Sequence, residues 1–352
     1  MSKKHLGVWK AWLVALSFCC GVGGVEVPPA LGAETTTSVS RVVHSLYDKA
    51  HAFEKQGQYE AAISVWDDLI HRFGDTQNPT IQRSVAVALF DKGDDLDTLN
   101  HDEAAISVYD DLIHRFGASQ NLTIQRAVAS ALCNKGNDLA TLNHDEAAIS
   151  VYDDLIHRFG VSQNPTIQRA VAVALYNKGG VLDQNLQRYE AAISVYDDLI
   201  HRFGASQNLT IQQQVAMALA SKAVDLGHLQ RNEAVISVCD DLIHRFGASQ
   251  NLTIQQQVAN ALYNKAVALR LLHRYKASIS VCGDIFHRFA TSKNPMLRQA
   301  VASALNNENT ILSQISGSVQ SVAGSPQNGQ LVHSRSLSPQ NLPRYEGAVG
   351  TW

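Results

Sequence analysis

The chain has 352 residues, of which 45% are hydrophobic, 17% are charged and 7% are aromatic. Its formal net charge is −3, and this balance excludes the strongly basic surface by which many proteins clamp nucleic acid. The five cysteines, two of them within the first twenty residues, do not form the pattern of a disulfide-stapled domain. The apolar content is ordinary, so a large hydrophobic core is possible.

The first 33 residues have the features of an export signal. Three lysines precede residues 11–25, which are apolar or small throughout, and small residues follow up to Ala33. The apolar stretch has the length of a signal-peptide core and is shorter than the ~20 residues of a membrane-spanning helix. We therefore predict a signal peptide over residues 1–33 and a periplasmic or extracellular protein. An uncleaved N-terminal segment that holds the chain at a membrane is the alternative.

A single phrase repeats through the rest of the chain. Asp-Asp-Leu-Ile-His-Arg-Phe-Gly, or a diverged copy of it, begins at intervals of 43 or 44 residues. The copies begin at Asp67, Asp110, Asp153, Asp197, Asp240 and Gly283. A fixed period of this size is typical of a solenoid, in which one supersecondary unit stacks on itself. The repeats and their flanks occupy residues 34–316 and leave no stretch for a separate catalytic domain.

Each unit is predicted to be a pair of helices. In the second full copy, Asn121 lies where a helix N-cap belongs, and apolar residues follow at helical spacing to Leu142. Asn143, with Glu146 three residues later, has the spacing of a capping box and predicts the start of the second helix. Gly160 is predicted to end that helix in the left-handed conformation.

Both ends of the array are predicted to carry caps. A first helix is expected to begin at Ser38 or Ser40, and a closing helix is expected to begin at Pro295. Residues 317–352 are rich in Ser, Gln, Gly, Pro and Asn, a composition that cannot bury enough surface to fold alone. We predict a disordered tail there.

Three positions repeat with the unit and carry a family resemblance. They are a small residue in the first helix, an alanine in the second helix, and an aromatic residue four positions after that alanine. The small residue is Ala50, Gly93, Gly136, Gly180 (or equally Gly179), Ala223 and Ala266; the alanine is Ala62, Ala105, Ala148 and Ala192, relaxed to Val235 and Ser278; the aromatic residue is Trp66, Tyr109, Tyr152 and Tyr196, replaced by Cys239 and Cys282.

This pattern resembles tetratricopeptide repeats. The resemblance implies an all-α fold, an α-solenoid with a right-handed superhelix, made of about six helix pairs and a C-terminal capping helix. The period is longer than the family's usual ~34 residues, and HEAT-like helix pairs are the alternative. A glycine inside a helix costs about 1 kcal/mol relative to alanine, so the glycines predict a close approach in which the facing ring fills the space.

The remaining reactive side chains are predicted to be structural. Equivalent histidines on stacked helices lie about 8–10 Å apart and cannot share a metal ion. We expect Asp67 to pair with His71, and Asp68 with Arg72, at a four-residue spacing. The cysteines at 133, 239 and 282 are expected to be packed thiols. Neither a metal nor a cofactor is predicted.

The resemblance implies that the first helices line a concave groove, and three rows of residues are candidates to bind a peptide there. A polar row resembles the asparagine ladder by which some tetratricopeptide arrays grip a peptide backbone; an aromatic row precedes it by one residue, and a lysine row follows it and would favour acidic segments. The polar row is Asp48, Asp91, Asn134, Asn177, Ser221, Asn264 and Asn307; the aromatic row is Tyr47, Phe90, Tyr176 and Tyr263; the lysine row includes Lys92, Lys135 and Lys265.

The function predicted from the sequence is an exported, non-enzymatic scaffold that binds a protein or peptide segment in this groove. No nucleic acid, small-molecule substrate or membrane span in the mature chain is predicted. The alternative is a structural spacer or assembly component that contacts its partners through its ends, its convex face or its tail. The sequence does not indicate an oligomeric state.

Overall fold

A computed structural model describes the backbone of residues 31–323 and the side chains of residues 38–315. In this part of the chain all regular structure is helical, with thirteen α-helices numbered in chain order. They are α1 Leu31–Lys55, α2 Tyr59–Phe73, α3 Pro79–Thr98, α4 Asp102–Phe116, α5 Leu122–Thr141, α6 Asp145–Phe159, α7 Pro165–Gly180, α8 Tyr189–Phe203, α9 Leu209–His228, α10 Asn232–Phe246, α11 Leu252–Leu271, α12 Tyr275–Phe289 and α13 Pro295–Ala323. The predicted all-α solenoid of six helix pairs and a closing helix is confirmed over these residues.

The chain divides into two compact units, one up to Ala170 and the other from Val171. Odd-numbered helices are the first helices of the pairs, and even-numbered helices are the second helices. In the N-terminal unit, α2 and α4 each pack against the first helices on both sides, and α3 contacts α5 directly. In the C-terminal unit, α10 and α12 do the same, and α11 contacts both α9 and α13. Within each unit, neighbouring helix pairs therefore bury their apolar faces against one another.

The asparagine N-caps are confirmed. The Asn121 side-chain oxygen accepts hydrogen bonds from the backbone N–H groups of Thr123 (3.0 Å) and Ile124 (3.3 Å), which have no partner within α5. Asn208 and Asn251 cap α9 and α11 by accepting one hydrogen bond each, from the N–H groups of Ile211 and Ile254. These bonds fix where each first helix begins.

The second helix ends at Phe159, just before Gly160 as predicted, but the predicted left-handed conformation of Gly160 and the predicted capping box are wrong. Asn143 adopts a left-handed conformation (φ 60°) and closes α5 as a Schellman motif, in which His144 N–H donates to the Leu139 carbonyl over 2.8 Å. Gly160 has φ −62° and stays right-handed. In the five later pairs the left-handed residue of the turn therefore has a polar side chain, and in the first pair it is Gly57; the glycine of the repeated phrase has another role.

The glycine of the repeated phrase leaves room for an arginine from the next unit. Arg115 donates to the carbonyl of Gly74 over 2.7 Å, and Arg158 donates to the carbonyl of Gly117. A Cβ on Gly117 would lie 2.8 Å from the Arg158 guanidinium and 2.4 Å from the carbonyl oxygen of Ile113. A larger residue there would displace the arginine that joins consecutive second helices.

The ends of the array and one internal joint differ from the sequence prediction. α1 begins at Leu31 and not at Ser38 or Ser40. α13 continues to Ala323, beyond the predicted start of the tail at residue 317, and residues 324–352 lie outside the described part of the chain, as do residues 1–30 of the predicted signal peptide. The extra residue of the fourth unit is absorbed by a π-helical segment, Val181–Asn185.

Candidate functional site

The repeating ring fills the space between the two helices of a pair, as predicted. Tyr109, Tyr152 and Tyr196 are almost completely buried. A Cβ on Gly93, Gly136 or Gly179 would lie 2.3–2.4 Å from Cε1 of the facing tyrosine, whereas a Cβ on Gly180 would meet only the Gln184 amide at 3.8 Å. Gly179 is therefore the fourth member of the small-residue row.

The predicted asparagine ladder is largely buried. Asn134, Asn264 and Asn307 are 7%, 4% and 5% exposed. The Asn134 amide donates to the Tyr109 hydroxyl (3.3 Å), and the Asn307 amide donates to the Ser278 hydroxyl (3.1 Å). These amides hydrogen-bond to groups inside the array. Their position on the first helix faces the second helix of the preceding pair, beside the buried ring or the cysteine that replaces it. They do not form the exposed ladder that was expected.

The other polar candidates are more accessible. Asp48 is exposed and pairs with His44 at 3.5 Å, and Asn177, Ser221 and Asp91 are half-buried. Burial and the nearby carboxylate of Glu54 raise the pKa of Asp91 well above its ordinary value. The polar row therefore changes in character along the chain and does not present one repeated chemistry.

The lysine row is engaged in ion pairs between helices. Lys92 pairs with Asp67 at 2.6 Å, and Lys135 and Lys265 pair with Asp110 and Asp240 at 2.5 Å. Each pair joins a second helix to the first helix that follows it. The predicted Asp67–His71 pair is thus replaced by Asp67–Lys92, whereas Asp68 and Arg72 pair as expected at 3.2 Å. The aspartates neutralise these lysines, so the row does not favour acidic ligands.

The aromatic row also keeps accessible surface, and it presents the same kind of side chain in four units. Its four members, Tyr47, Phe90, Tyr176 and Tyr263, are half-buried. Tyr47 lies edge-on to Trp66 with 5.0 Å between ring centroids, and Phe90 and Tyr176 lie 6.3 and 6.1 Å from Tyr109 and Tyr196. Tyr47, Phe90 and Tyr176 are each packed against a buried ring, whereas the position equivalent to that ring after Tyr263 is Cys282; all four side chains keep part of their surface open to solvent.

Buried carboxyl groups that were not expected from the sequence lie beside the rings. Asp95 accepts a hydrogen bond from the Trp66 indole N–H (3.1 Å), and Asp183 accepts one from the Tyr196 hydroxyl (2.7 Å). Burial raises the pKa of Asp183 to about 6; burial and the charge of Asp183 raise the pKa of Asp225 to about 8. The sequence holds a partial signal for this row. Asp95, Asp138 and Asp225 follow Trp66, Tyr109 and Tyr196 by 29 residues, whereas the residues 29 positions after Tyr152, Cys239 and Cys282 are Val181, Ala268 and Ile311.

Among the described residues one acidic group has a spacing that could hold a metal ion. Carboxylate oxygens of Asp97, Asp102 and Asp138 lie within 4.8 Å of one another. Such groups are common without an ion, and we assign no metal to it. Cys133, Cys239 and Cys282 are buried free thiols, as expected, and burial raises the pKa of Cys133 to about 12. A thiol with that pKa is a packing group and not a nucleophile.

No helix within residues 31–323 combines the length and the apolar character needed to cross a membrane.

The family model described as Tetratricopeptide repeat matches residues 47–121. No curated protein matches the chain at a significant level. Among solved structures, a tetratricopeptide repeat protein from Parabacteroides merdae ATCC 43184 is 15% identical with a TM-score of 0.46, over 80% of this chain and 93% of that chain. The TPR2AB domain of yeast Sti1, in a pHSP90 complex, is 14% identical with a TM-score of 0.29, over 75% of this chain and 99% of that chain. The P58(IPK) TPR domain is 13% identical with a TM-score of 0.29, over 82% of this chain and 71% of that chain.

The match to the tetratricopeptide-repeat model is direct over residues 47–121. All six units carry the repeated phrase or a diverged copy of it, at a period of 43 or 44 residues, and the second, third and fourth units pack a tyrosine against a glycine.

Proposed function

We propose that this chain is an exported, non-enzymatic scaffold that binds a protein or peptide segment on the exposed faces of its first helices. The repeat class supports an interaction role. The observation that carries the binding face is the aromatic row, in which a half-buried ring recurs at one position of the first helix in both compact units. Rings that are already packed on one side lose little conformational entropy when a ligand covers the other side.

The charge around this row favours a basic segment in the N-terminal unit. Phe90 is followed by Asp91, Asp94 and Asp97, and the one lysine among them is paired with Asp67. We therefore infer that the bound segment carries lysine or arginine, and not the acidic residues expected from the lysine row.

Replacing the exposed ring of the aromatic row tests this function. We expect Phe90→Ala or Tyr263→Ala to weaken capture of the partner by at least about tenfold, because truncation of a central aromatic anchor commonly costs about 2 kcal/mol of binding energy. The partner is first identified by photo-crosslinking from residue 263 in the native host, and its affinity for the purified variants is then measured by titration.

Tyr275 provides the matched control. It is a half-buried tyrosine of the same compact unit, but it lies at the start of a second helix. Tyr275→Ala should change the affinity less than twofold. Crosslinks that form from residue 275 and not from residue 263 would favour the structural alternative, in which contacts use the ends, the convex face or the tail.

Export is part of the same proposal and is supported by the sequence of residues 1–33. N-terminal sequencing of the protein recovered from cells should find a chain that begins after Gly32 or Ala33. Recovery of an intact N-terminus in the membrane fraction would favour an uncleaved anchor.

A further inference from the structure

A pocket of about 290 Å³ lies between α12 and α13. Its walls are mainly apolar and include Phe286 and Leu305, with Gly283 on one side and Glu308 on the other. All of these residues lie in the last helix pair and the closing helix. The volume is at the low end of the range of ligand sites and fits one bulky side chain.

The pocket exists because the last unit lacks an ion pair that the earlier units have. In the preceding unit the corresponding positions are Asp240 and Lys265, whose side chains pair at 2.5 Å. In the last unit the aspartate is replaced by Gly283 and the lysine by Glu308. A Cβ on Gly283 would meet no atom within 4 Å. Both partners of the pair are therefore lost together, and the space of the aspartate side chain is open.

The apolar wall is core surface that has no cover in the described part of the chain. Leu262, one repeat earlier, is 3% exposed, whereas Leu305 is 45% exposed. Phe286 replaces the isoleucine of the repeated phrase and is 53% exposed. An exposed phenylalanine beside an open pocket is typical of a surface that binds another chain.

We propose that this pocket binds a protein segment in which a bulky apolar side chain stands next to a lysine or arginine. The apolar side chain would fill the space beside Gly283, and the cationic group would pair with the carboxylate of Glu308. Charge complementarity selects this occupant, since Glu308 has no ion-pair partner among the described residues and stands where the earlier units carry a cation. The pocket is separate from the aromatic row, and the proposal does not depend on the function proposed above.

The test uses the full mature chain and two synthetic peptides. One peptide has a leucine and a phenylalanine between two arginines, and the other has glutamates in place of the arginines. We expect the arginine peptide to bind at least about tenfold more tightly in fluorescence anisotropy, and Glu308→Gln to remove most of that difference. Glu103→Gln, which removes an exposed carboxylate at the start of α4, should leave it unchanged.

A double variant keeps the test independent of folding. Gly283→Asp with Glu308→Lys rebuilds the ion pair of the earlier units and fills the pocket, so it should abolish peptide binding without lowering the thermal midpoint. Equal affinity for the two peptides, retained binding by the double variant, or no binding up to about 1 mM would overturn the proposal. Two further results would also overturn the proposal. If the peptide binds only after residues 324–352 are removed, the chain's own tail occupies the pocket; if a dimer dissociates on Glu308→Gln, a second copy of the chain occupies it.

Discussion

Replacing Gly179 by alanine is expected to lower the free energy of unfolding by about 1–3 kcal/mol, although alanine is the better helix former. The new Cβ would lie 2.3 Å from Cε1 of Tyr196, and that ring is fully enclosed. Because the ring cannot move into solvent, α7 and α8 must separate or Tyr196 must leave its rotamer. Urea unfolding followed by circular dichroism measures the change.

The next residue is a matched control. Gly180→Ala places a methyl group 3.8 Å from the Gln184 amide, which is ordinary contact. We expect it to leave stability unchanged or to raise it by up to about 1 kcal/mol, through the helix propensity of alanine. Equal effects of the two substitutions would show that the ring does not depend on the glycine.

A second large effect is expected from the buried carboxyls of the C-terminal unit. The pKa of Asp225 is raised to about 8 and that of Asp183 to about 6, whereas an unfolded aspartate has a pKa of about 3.9. The folded chain therefore binds more protons than the unfolded chain between about pH 4 and pH 8. Its free energy of unfolding should fall as the pH rises through this window.

Asp225→Asn should reduce that pH dependence, because the amide cannot ionise. The free energy of unfolding is measured with urea at about pH 5 and at about pH 8.5, two values that enclose most of this pH window. The difference between the two values should be smaller in the variant than in the parent chain. Asp75→Asn, which changes an exposed carboxyl, should retain the parent difference. A parent chain whose stability rises with pH would contradict the buried position of these carboxyls.

The elements that could be predicted from the sequence are those with local causes. α5 was expected from Asn121 to about Leu142 and is observed over Leu122–Thr141, because an N-cap and an apolar period act within one helix. The glycine-to-ring packing could also be predicted, since Gly136 and Tyr152 belong to one hairpin.

The candidate site was harder to predict because burial there depends on the neighbouring repeat. Asn134 was expected on an exposed ladder, but Tyr109 of the preceding second helix covers it. Lys92 pairs with Asp67, which lies 25 residues earlier on a different helix, so the spacing of residues along one helix could not predict this contact. The buried aspartates follow a ring by 29 residues in three units, but Val181 stands 29 residues after Tyr152, so sequence spacing alone does not locate all of them.

The central claim is that the 43-residue unit is the element of folding and packs only on its sequence neighbours. Deleting residues 110–152 tests it most directly, because the new junction of Tyr109 with Asp153 restores the native phrase without change. We predict a cooperatively folded chain with the same helical fraction per residue and a lower urea midpoint, whereas deletion of residues 110–130 should abolish cooperative unfolding. Loss of helical structure in the in-register deletion, to the same extent as in the out-of-register one, would contradict the account.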